Sequence, residues 1–155
     1  MSSPSGAPRV SPSPDSARSR VEFPLPLKGI SVLIVDDEED VRDLVHAILV
    51  GAGATVIVAT SAAEALAVAK AAGLHLIVSD IGMPGKDGYQ LIAEIRALAH
   101  HAATPAIAFT AFASAADRAR VLKAGFQVHL TKPSSPAALV ATVRKLAAAY
   151  GHTTE

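Results

Sequence analysis

The sequence contains no cysteine and no tryptophan, and only 4% of its 155 residues are aromatic. The lack of cysteine excludes disulfide bonds, thiolate metal sites and cysteine nucleophiles, and it is compatible with a reducing cytoplasm. Half of the residues are hydrophobic. Because so few of these are aromatic, the core must be built from Val, Ile, Leu and Ala, a composition typical of parallel strands covered by helices.

Net charge and long apolar runs are also lacking. The formal net charge is zero, so the chain lacks the excess positive charge that is typical of nucleic-acid-binding domains. No apolar run approaches the roughly 20 residues that a membrane-spanning helix needs. The N-terminus carries no apolar stretch of the kind found in secretory signals. We therefore expect a cytoplasmic protein that binds neither nucleic acid nor membrane.

The first 28 residues differ in composition from the rest of the chain. They begin with the Ser/Pro-rich run MSSPSGAPRVSPSPDSARSR, which offers almost nothing to bury. Such a segment cannot offset the entropy lost on ordering. We predict a disordered tail over residues 1–28, one folded domain over 29–149 and a short C-terminal tail over 150–155.

Five short apolar runs follow in the folded part. Each is apolar on both faces and rich in β-branched residues, as expected for buried parallel strands. The runs are SVLIVD (31–36), ATVIVA (54–59), LHLIVSD (74–80), PAIAFT (105–110) and FQVHLT (126–131).

The segments between and after these runs carry helix signals, which are apolar stripes at helical spacing and capping residues. The signals are the stripe Val41, Leu44, Val45, Ile48 and Leu49; the capping-box pattern of Ser61 and Glu64; Leu91, Ile92, Ile95 and Leu98 behind Asp87; Ser114 before Val121 and Leu122; and Ser135-Pro136 before Leu139, Val140, Val143 and Leu146. Five strands are too few for a closed eight-stranded barrel. The pattern therefore predicts an open, doubly wound (βα)₅ sandwich of the flavodoxin-like kind, with a parallel sheet in the order 2-1-3-4-5.

Polar residues stand where the predicted strands end. Asp36 and Asp37 follow the first strand, Asp80 the third, Thr110 ends the fourth and Lys132 follows the fifth. In an open α/β sheet these ends meet at one edge, where ligands bind. Three carboxylates packed together repel one another unless a cation neutralises them. Oxygen ligands alone favour a hard ion, and Mg²⁺ takes one or two carboxylates together with substrate phosphate; Mn²⁺ is the alternative. The pattern is that of a phosphoryl-accepting site.

Several segments resemble response-regulator receiver domains of two-component signalling. They are VLIVDDEEDVRDL, SDIGMPGKDGYQLI, FTAFA and KAGFQVHLTKP, and the resemblance covers about residues 29–149. It implies that Asp80 is the phosphoryl acceptor. It also implies that Asp36, Asp37, Asp80 and the backbone carbonyl of Gly82 hold the metal ion.

The same resemblance implies that Thr110 and Lys132 contact the phosphoryl oxygens, and that the peptide bond before Pro133 is cis. One position departs from the family pattern. Receivers commonly carry Tyr or Phe three residues before the lysine, whereas this chain has His129. Since the aromatic ring of the family follows the threonine inward, we expect Thr110 and His129 to form the switch.

The resemblance further implies a histidine kinase or a histidine phosphotransfer protein as phosphodonor. It implies output by protein contact through the face of helix 4, strand 5 and helix 5, from a monomer or a weak, phosphorylation-dependent dimer. The run GFQVHLTKP resembles receivers at the C-terminal end of hybrid kinases. A stand-alone regulator and a piece of a hybrid kinase therefore both stay open.

Three other functions compete with this interpretation. A phosphatase with an aspartyl-phosphate intermediate would need a second acid two residues after Asp80, where Gly82 stands, so we expect no enzyme of that kind. A flavin or nucleotide carrier would need phosphate-cradling amides after the first strand, where the chain has DDEED. A degenerate receiver that only binds partners is disfavoured, because all five functional positions are filled. The remaining histidines show no metal-ligand spacing, so we expect them to be structural, on the surface or partly buried.

Overall fold

The computed structural model describes residues 25–151, which form one parallel sheet of five strands with helices on both faces. The strand order is β2-β1-β3-β4-β5, which confirms the predicted order 2-1-3-4-5. The strands are β1 Ser31–Val35, β2 Thr55–Ala59, β3 Leu76–Ser79, β4 Ala106–Thr110 and β5 Val128–Thr131. The helices are α1 Glu39–Gly51, α2 Ala62–Ala71, α3 Gly88–Arg96, α4 Ala115–Ala124 and α5 Pro136–Ala149, and a 3₁₀ helix follows α3 at Ala99–His101.

The parallel register aligns the strand ends that carry the polar residues. Val35 pairs with Ser79 across β1 and β3, and Thr110 pairs with Thr131 across β4 and β5. The residues that directly follow β1 and β3 therefore leave the sheet side by side. This alignment brings the first and third polar segments to one edge, as the sequence predicts.

Two apolar layers cover the two faces of the sheet, because successive side chains of a strand point to opposite sides. On one face Leu33 and Ile77 pack with α2, α3 and α4. On the other face Val32 and Val78 pack with α1 and α5. The contact surface of α2 is made of alanines, Ala62, Ala65 and Ala69, all of them buried. No helix among residues 25–151 is long and apolar enough to cross a membrane.

Most of the predicted caps are present. Side-chain caps form at Asp87, Ser114 and Ser135, the first two as full capping boxes with Gln90 and Asp117. The box predicted at Ser61 forms only in part. Ser61 accepts from the amide of Glu64, but the Glu64 carboxylate accepts from the amide and the hydroxyl of Thr60 instead of returning to Ser61.

The predicted boundary at residue 28 lies too far along the chain. Leu27 is fully buried, and its amide donates to the carbonyl of Ala52 at 2.8 Å. The packed part of the chain therefore begins before residue 29, while residues 1–24 and 152–155 of the predicted tails lie outside the described residues. One member of the predicted stripe on α1 also differs, since Leu44 is 58% exposed. α3 ends at Arg96, so Leu98 packs from the segment that follows it.

Two neighbouring histidines bind helix carbonyls, as expected for structural residues. His101 is buried, contrary to the expected surface or partly buried position. Its Nε2 lies 3.0 Å from the carbonyl oxygen of Ala72 and its Nδ1 lies 2.8 Å from the hydroxyl of Thr104. His100 places Nε2 2.9 Å from the carbonyl oxygen of Ala69. Because carbonyl oxygens only accept, each Nε2 carries a hydrogen that satisfies an end of α2.

The helices differ in how firmly they are packed. α4 buries a single side chain, Val121, fewer than any other α-helix of the described chain. The turn after α4 is held by Arg96, a residue of α3. Its guanidinium donates to the carbonyl of Gly125 from Nε at 3.2 Å and from Nη2 at 2.9 Å. The same group donates to the carbonyl of His101 at 2.9 Å and to Oε1 of Gln127 at 3.1 Å.

Candidate functional site

Three carboxylates meet at the carboxyl edge of the sheet. Asp36, Asp37 and Asp80 each offer one oxygen, and these oxygens lie within 4.8 Å of one another. Asp36 and Asp80 are buried, whereas Asp37 is exposed. The three predicted acidic residues are therefore close enough together to hold one cation.

Asp36 is fixed by contacts on both its side chain and its backbone. The amide of Glu38 donates to Oδ1 at 2.9 Å, and the ammonium of Lys132 donates to Oδ2 at 2.8 Å. The guanidinium of Arg42 donates to the backbone carbonyl of Asp36 at 2.8 Å. These bonds hold the loop between β1 and α1 in place behind the cluster.

Lys132 reaches this cluster from the end of β5. Its Nζ lies 2.8 Å from Oδ2 of Asp36 and 3.6 Å from Oδ2 of Asp80. Burial by itself would lower the pKa of Lys132, but the hydrogen bond to Asp36 and the charge of Asp80 outweigh it and raise the pKa. The lysine is thus a permanent cation in the site. The predicted cis peptide bond between Lys132 and Pro133 is present.

Asp80 carries the most perturbed carboxyl group of the site. The pKa of Asp80 is raised to about 6, because burial and the charge of Asp36 raise it more than the opposing charge of Lys132 lowers it. The amide of Ile81 donates to Oδ1 at 2.8 Å, which leaves Oδ2 facing Lys132. Such a carboxylate gains from a nearby divalent cation, because the cation offsets both burial and the like charge of Asp36.

These groups border a cavity of about 200 Å³ at the surface. Of the predicted site residues, Asp37, Asp80, Gly82, Thr110 and Lys132 line it. Oxygen donors without nitrogen or sulfur fit a hard ion such as Mg²⁺ or Mn²⁺. The residues present therefore fit the predicted metal site.

The cavity has lining residues that the sequence did not single out, chiefly Glu38 and Phe112. Glu38 places Oε1 3.6 Å from Nζ of Lys132. Periodicity could not single out Phe112, because one aromatic residue in a loop has none. Its position two residues after Thr110, the end of β4, is the signal that could have found it.

Thr110 and His129, the predicted switch pair, are both buried and both contact Phe112. The amide of Phe112 donates to Oγ1 of Thr110 at 3.2 Å. Nε2 of His129 lies 2.8 Å from the carbonyl oxygen of Phe112, so Nε2 is the protonated nitrogen. Nδ1 of His129 is buried and has no hydrogen-bond partner among residues 25–151. His129 lies behind the cavity rather than on its wall.

Gly88 positions the acceptor loop against α3. A Cβ atom at residue 88 would overlap the carbonyl oxygen of Asp80 and would lie 2.8 Å from Cα of Ile81. The amide of Gly88 donates to the carbonyl of Ile81 at 2.8 Å. Only a residue without a side chain lets α3 begin this close to Asp80.

The fold and this edge of the sheet define the class, a doubly wound α/β domain with an acidic pocket and a lysine at the carboxyl ends of its strands. The description "Response regulator receiver domain" matches residues 32–144. The chain belongs to the response-regulator receiver family of two-component signalling, whose members are signalling switches that bind Mg²⁺ in such an acidic pocket.

Individual relatives agree with this placement. An uncharacterized 14.6 kDa protein of Leptolyngbya boryana is 41% identical over 124 residues, which cover 80% of this chain and 95% of that protein. Response regulator Rre1 of Synechocystis is 38% identical over 77% of this chain, which spans about half of that regulator, 52%. The solved structure of chemotaxis protein CheY4 of Vibrio cholerae superposes with a TM-score of 0.73 at 31% identity, covering 76% of this chain and 98% of CheY4.

Proposed function

We propose that the chain is a phospho-accepting switch in which Asp80 takes a phosphoryl group from a phosphohistidine of a histidine kinase or a histidine phosphotransfer protein. The observation that carries this proposal is the position of Asp80. Its carboxylate lines a surface cavity, with Oδ2 3.6 Å from the ammonium of Lys132 and with Asp36 and Asp37 within metal-holding distance. Receiver-family relatives support the choice of phosphodonor.

In the proposed reaction the Oδ2 oxygen of Asp80 attacks phosphorus. A bond from Oδ2 to phosphorus forms while the bond from phosphorus to the donor nitrogen breaks, and the imidazole leaves with the electron pair. Lys132 and the hydroxyl of Thr110 stabilise negative charge on the phosphoryl oxygens. Mg²⁺, held by Asp36, Asp37, Asp80 and the carbonyl of Gly82, would neutralise the remaining charge on these oxygens.

The hydrogen bonds of Asp80 suit the role of acceptor. Oδ1 is occupied by the amide of Ile81, so the carboxylate is oriented before any donor arrives. Gly82, which stands where a phosphatase of this type would place its general acid, supplies no proton. The proposed chemistry is therefore acceptance of one phosphoryl group followed by slow hydrolysis.

We propose that output is by protein contact through the face of α4, β5 and α5, from a monomer or a weak, phosphorylation-dependent dimer. Two observations support this. α4 buries a single side chain, so most of its surface faces outward. The end of β4 and the middle of β5 are joined through Phe112, which contacts both Thr110 and His129. This assignment rests on likeness to the receiver family.

The test is incubation with phosphoramidate or acetyl phosphate and Mg²⁺, followed by measurement of the intact mass. A single phosphoryl adduct is expected on the wild type, and none in EDTA or in Asp80→Asn. Asp43→Asn, which removes an exposed carboxylate from α1, is the matched control and should accept phosphate normally. The proposal is wrong if the wild type forms no adduct or if Asp80→Asn forms as much.

A further inference from the structure

An apolar groove runs between α1 and α5 on the surface of the domain. Its upper part, a cavity of about 200 Å³, lies beside the acceptor site and is bordered there by Asp40 and Lys132. Its lower part is lined by the two helices and by Pro26, which directly precedes the buried Leu27. Ile48 lines both parts, so they adjoin. The α1/α5 groove therefore leads from the acceptor site to the point where the described chain begins.

The groove exposes apolar surface. Leu44 lines its upper part and is 58% exposed, although it falls on the apolar stripe of α1. Val41, Ile48 and Val140, which also line the groove, are only partly buried. Side chains of this kind gain free energy when a further apolar segment removes them from water.

The beginning of the described chain is fixed at the lower end of the groove. The amide of Leu27 donates to the carbonyl of Ala52 at 2.8 Å, and the amide of Lys28 donates to the carbonyl of Leu25 at 3.2 Å. Leu25 packs on Gly53, where an added Cβ would lie 2.7 Å from the Cβ of Leu25. The residues that precede Leu25 in the chain must therefore start from this end of the groove.

Those preceding residues have the pattern of an extended, one-sided apolar segment. They read RVEFP over 20–24. Val21 and Phe23 continue the two-residue spacing of Leu25 and Leu27, which puts apolar side chains on one face of an extended chain. The proline that follows Phe23 disfavours helical backbone at that residue. The segment is thus suited to lie along an apolar groove.

The length of the segment matches the length of the groove. From Val41 to Gly51, α1 rises about 15 Å at 1.5 Å per residue. Five extended residues span about 16 Å at roughly 3.3 Å each. Residues 20–24 can therefore reach from Pro26 to the first turn of α1.

The charges at the far end of the groove are complementary to those of the segment. The first turn of α1 carries Glu39 and Asp40, both exposed, and the far end of the segment carries Arg20, with Arg18 two residues before it. Exposed ion pairs contribute at most about 1 kcal/mol each. Apolar contact must therefore supply most of the binding, while the charges favour one direction of the segment along the groove.

We propose that residues 20–24 of this chain occupy the α1/α5 groove, with Phe23 beside Ile48 and Leu44 and with Arg20 near Asp40. The segment then covers apolar surface next to the acceptor site and withholds that surface from protein partners. The contact involves neither Asp80 nor the predicted metal ligands, so this inference goes beyond the proposed function and does not depend on it.

The first test uses two peptide bonds of the same kind in the full chain. Trypsin cleaves after Arg9 and after Arg20, and valine follows each of them. Phe23→Ser should speed cleavage after Arg20 at least fivefold and leave cleavage after Arg9 unchanged, as followed by mass spectrometry. Val10→Ser, which removes an apolar side chain farther from the groove, should leave cleavage after Arg20 unchanged. An equal rate after Arg20 in the wild type and in Phe23→Ser would overturn the proposal.

A change in the groove separates docking from the sequence preference of trypsin. Leu44→Ala alters nothing near the cleaved bond and should speed cleavage after Arg20 at least threefold. Val50→Ala is the matched control, because Val50 is an exposed apolar residue of the same helix that does not line the groove. If Leu44→Ala cleaves at the wild-type rate, the segment does not lie in the groove and the proposal is wrong.

A disulfide tests the position of Phe23 directly. The chain has no cysteine, so two introduced cysteines can form only one bond within a molecule. Phe23→Cys should oxidise several-fold faster with Ala47→Cys, which faces the groove, than with His46→Cys, which is exposed on the same helix outside it. Equal rates for the two pairs would contradict the proposed position.

The same measurements distinguish other occupants of the groove. Protection of the bond after Arg20 within one chain should not depend on protein concentration. Protection that rises with concentration would assign the groove to the segment of a second copy. A bond after Arg20 that is unprotected at every concentration would leave the groove open to a different protein. Either result would overturn the proposal, whether or not Asp80 accepts a phosphoryl group.

Discussion

Replacing the proposed acceptor should make the metal-free protein more stable. Burial, together with the charge of Asp36, raises the pKa of Asp80 from its ordinary 3.8 to about 6. A difference of about two pH units corresponds to about 3 kcal/mol between the two protonation states. Asp80→Asn keeps the shape of the side chain and removes the charge, so it should raise the free energy of unfolding by about 2–3 kcal/mol at pH 8.

The dependence on pH follows from the direction of this change. The folded state holds the proton of Asp80 more tightly than the unfolded state does. The stability that this bound proton contributes is therefore fully present below about pH 3.8 and is lost as the pH rises through about 6. The advantage of Asp80→Asn should be small near pH 4, grow between pH 4 and 6, and stay constant above about pH 7.

The assay is urea denaturation followed by circular dichroism, in EDTA, at a series of pH values. Asp43→Asn serves as the control, because it removes an exposed carboxylate outside the cavity and should change stability by less than about 0.5 kcal/mol. Added Mg²⁺ should stabilise the wild type more than Asp80→Asn, since the cation relieves the same repulsion. A variant less stable than the wild type at pH 8, or an advantage that persists unchanged to pH 4, would refute the reasoning.

Three further changes test other parts of the structure. Lys132→Met should slow phosphorylation by phosphoramidate on the order of 100-fold, because a charged donor to the phosphoryl oxygens is lost; a rate within twofold of the wild type would contradict this role. Leu27→Ala should lower the free energy of unfolding in urea by about 2–4 kcal/mol, and an unchanged value would mean that the domain begins after residue 28. Gly88→Ala should cost about 1–3 kcal/mol by overpacking and slow phosphorylation of Asp80, whereas Gly73→Ala, whose added Cβ would meet nothing within 4 Å, should leave the phosphorylation rate unchanged.

The parts of the fold that sequence predicts are those set by local rules. Buried parallel strands read as short apolar runs, and the carboxyl ends of such strands must meet. For that reason Asp36, Asp37, Asp80, Thr110 and Lys132 could be placed at one edge without coordinates, and all of them except Asp36 line the cavity. The caps at Asp87, Ser114 and Ser135 depend on residues three positions away, which is equally local.

The features that the sequence did not predict share a different cause, because each of these features depends on contacts between segments far apart in the chain. Leu27 looks like part of a Pro-rich linker, and its burial depends on the end of α1 at Ala52. Leu44 fits the helical stripe of α1, yet the sheet and α5 cover a narrower strip than the stripe implies, and the side chain stays 58% exposed. The position of Phe112 against Gly82 depends on two loops from different strands. Helical or strand periodicity carries no information about such contacts.

The packing of α4 bears on the free-energy cost of detaching this helix from the rest of the domain. A helix that buries only Val121 loses little hydrophobic stabilisation when it detaches, so its amide hydrogens should exchange with solvent well before those of the central strands. Arg96 ties the following turn at Gly125 and Gln127, which sets the far limit of that opening at the start of β5. We therefore expect the segment between Ser114 and Gly125 to open and close as a small cooperative unit while the sheet beneath it stays intact.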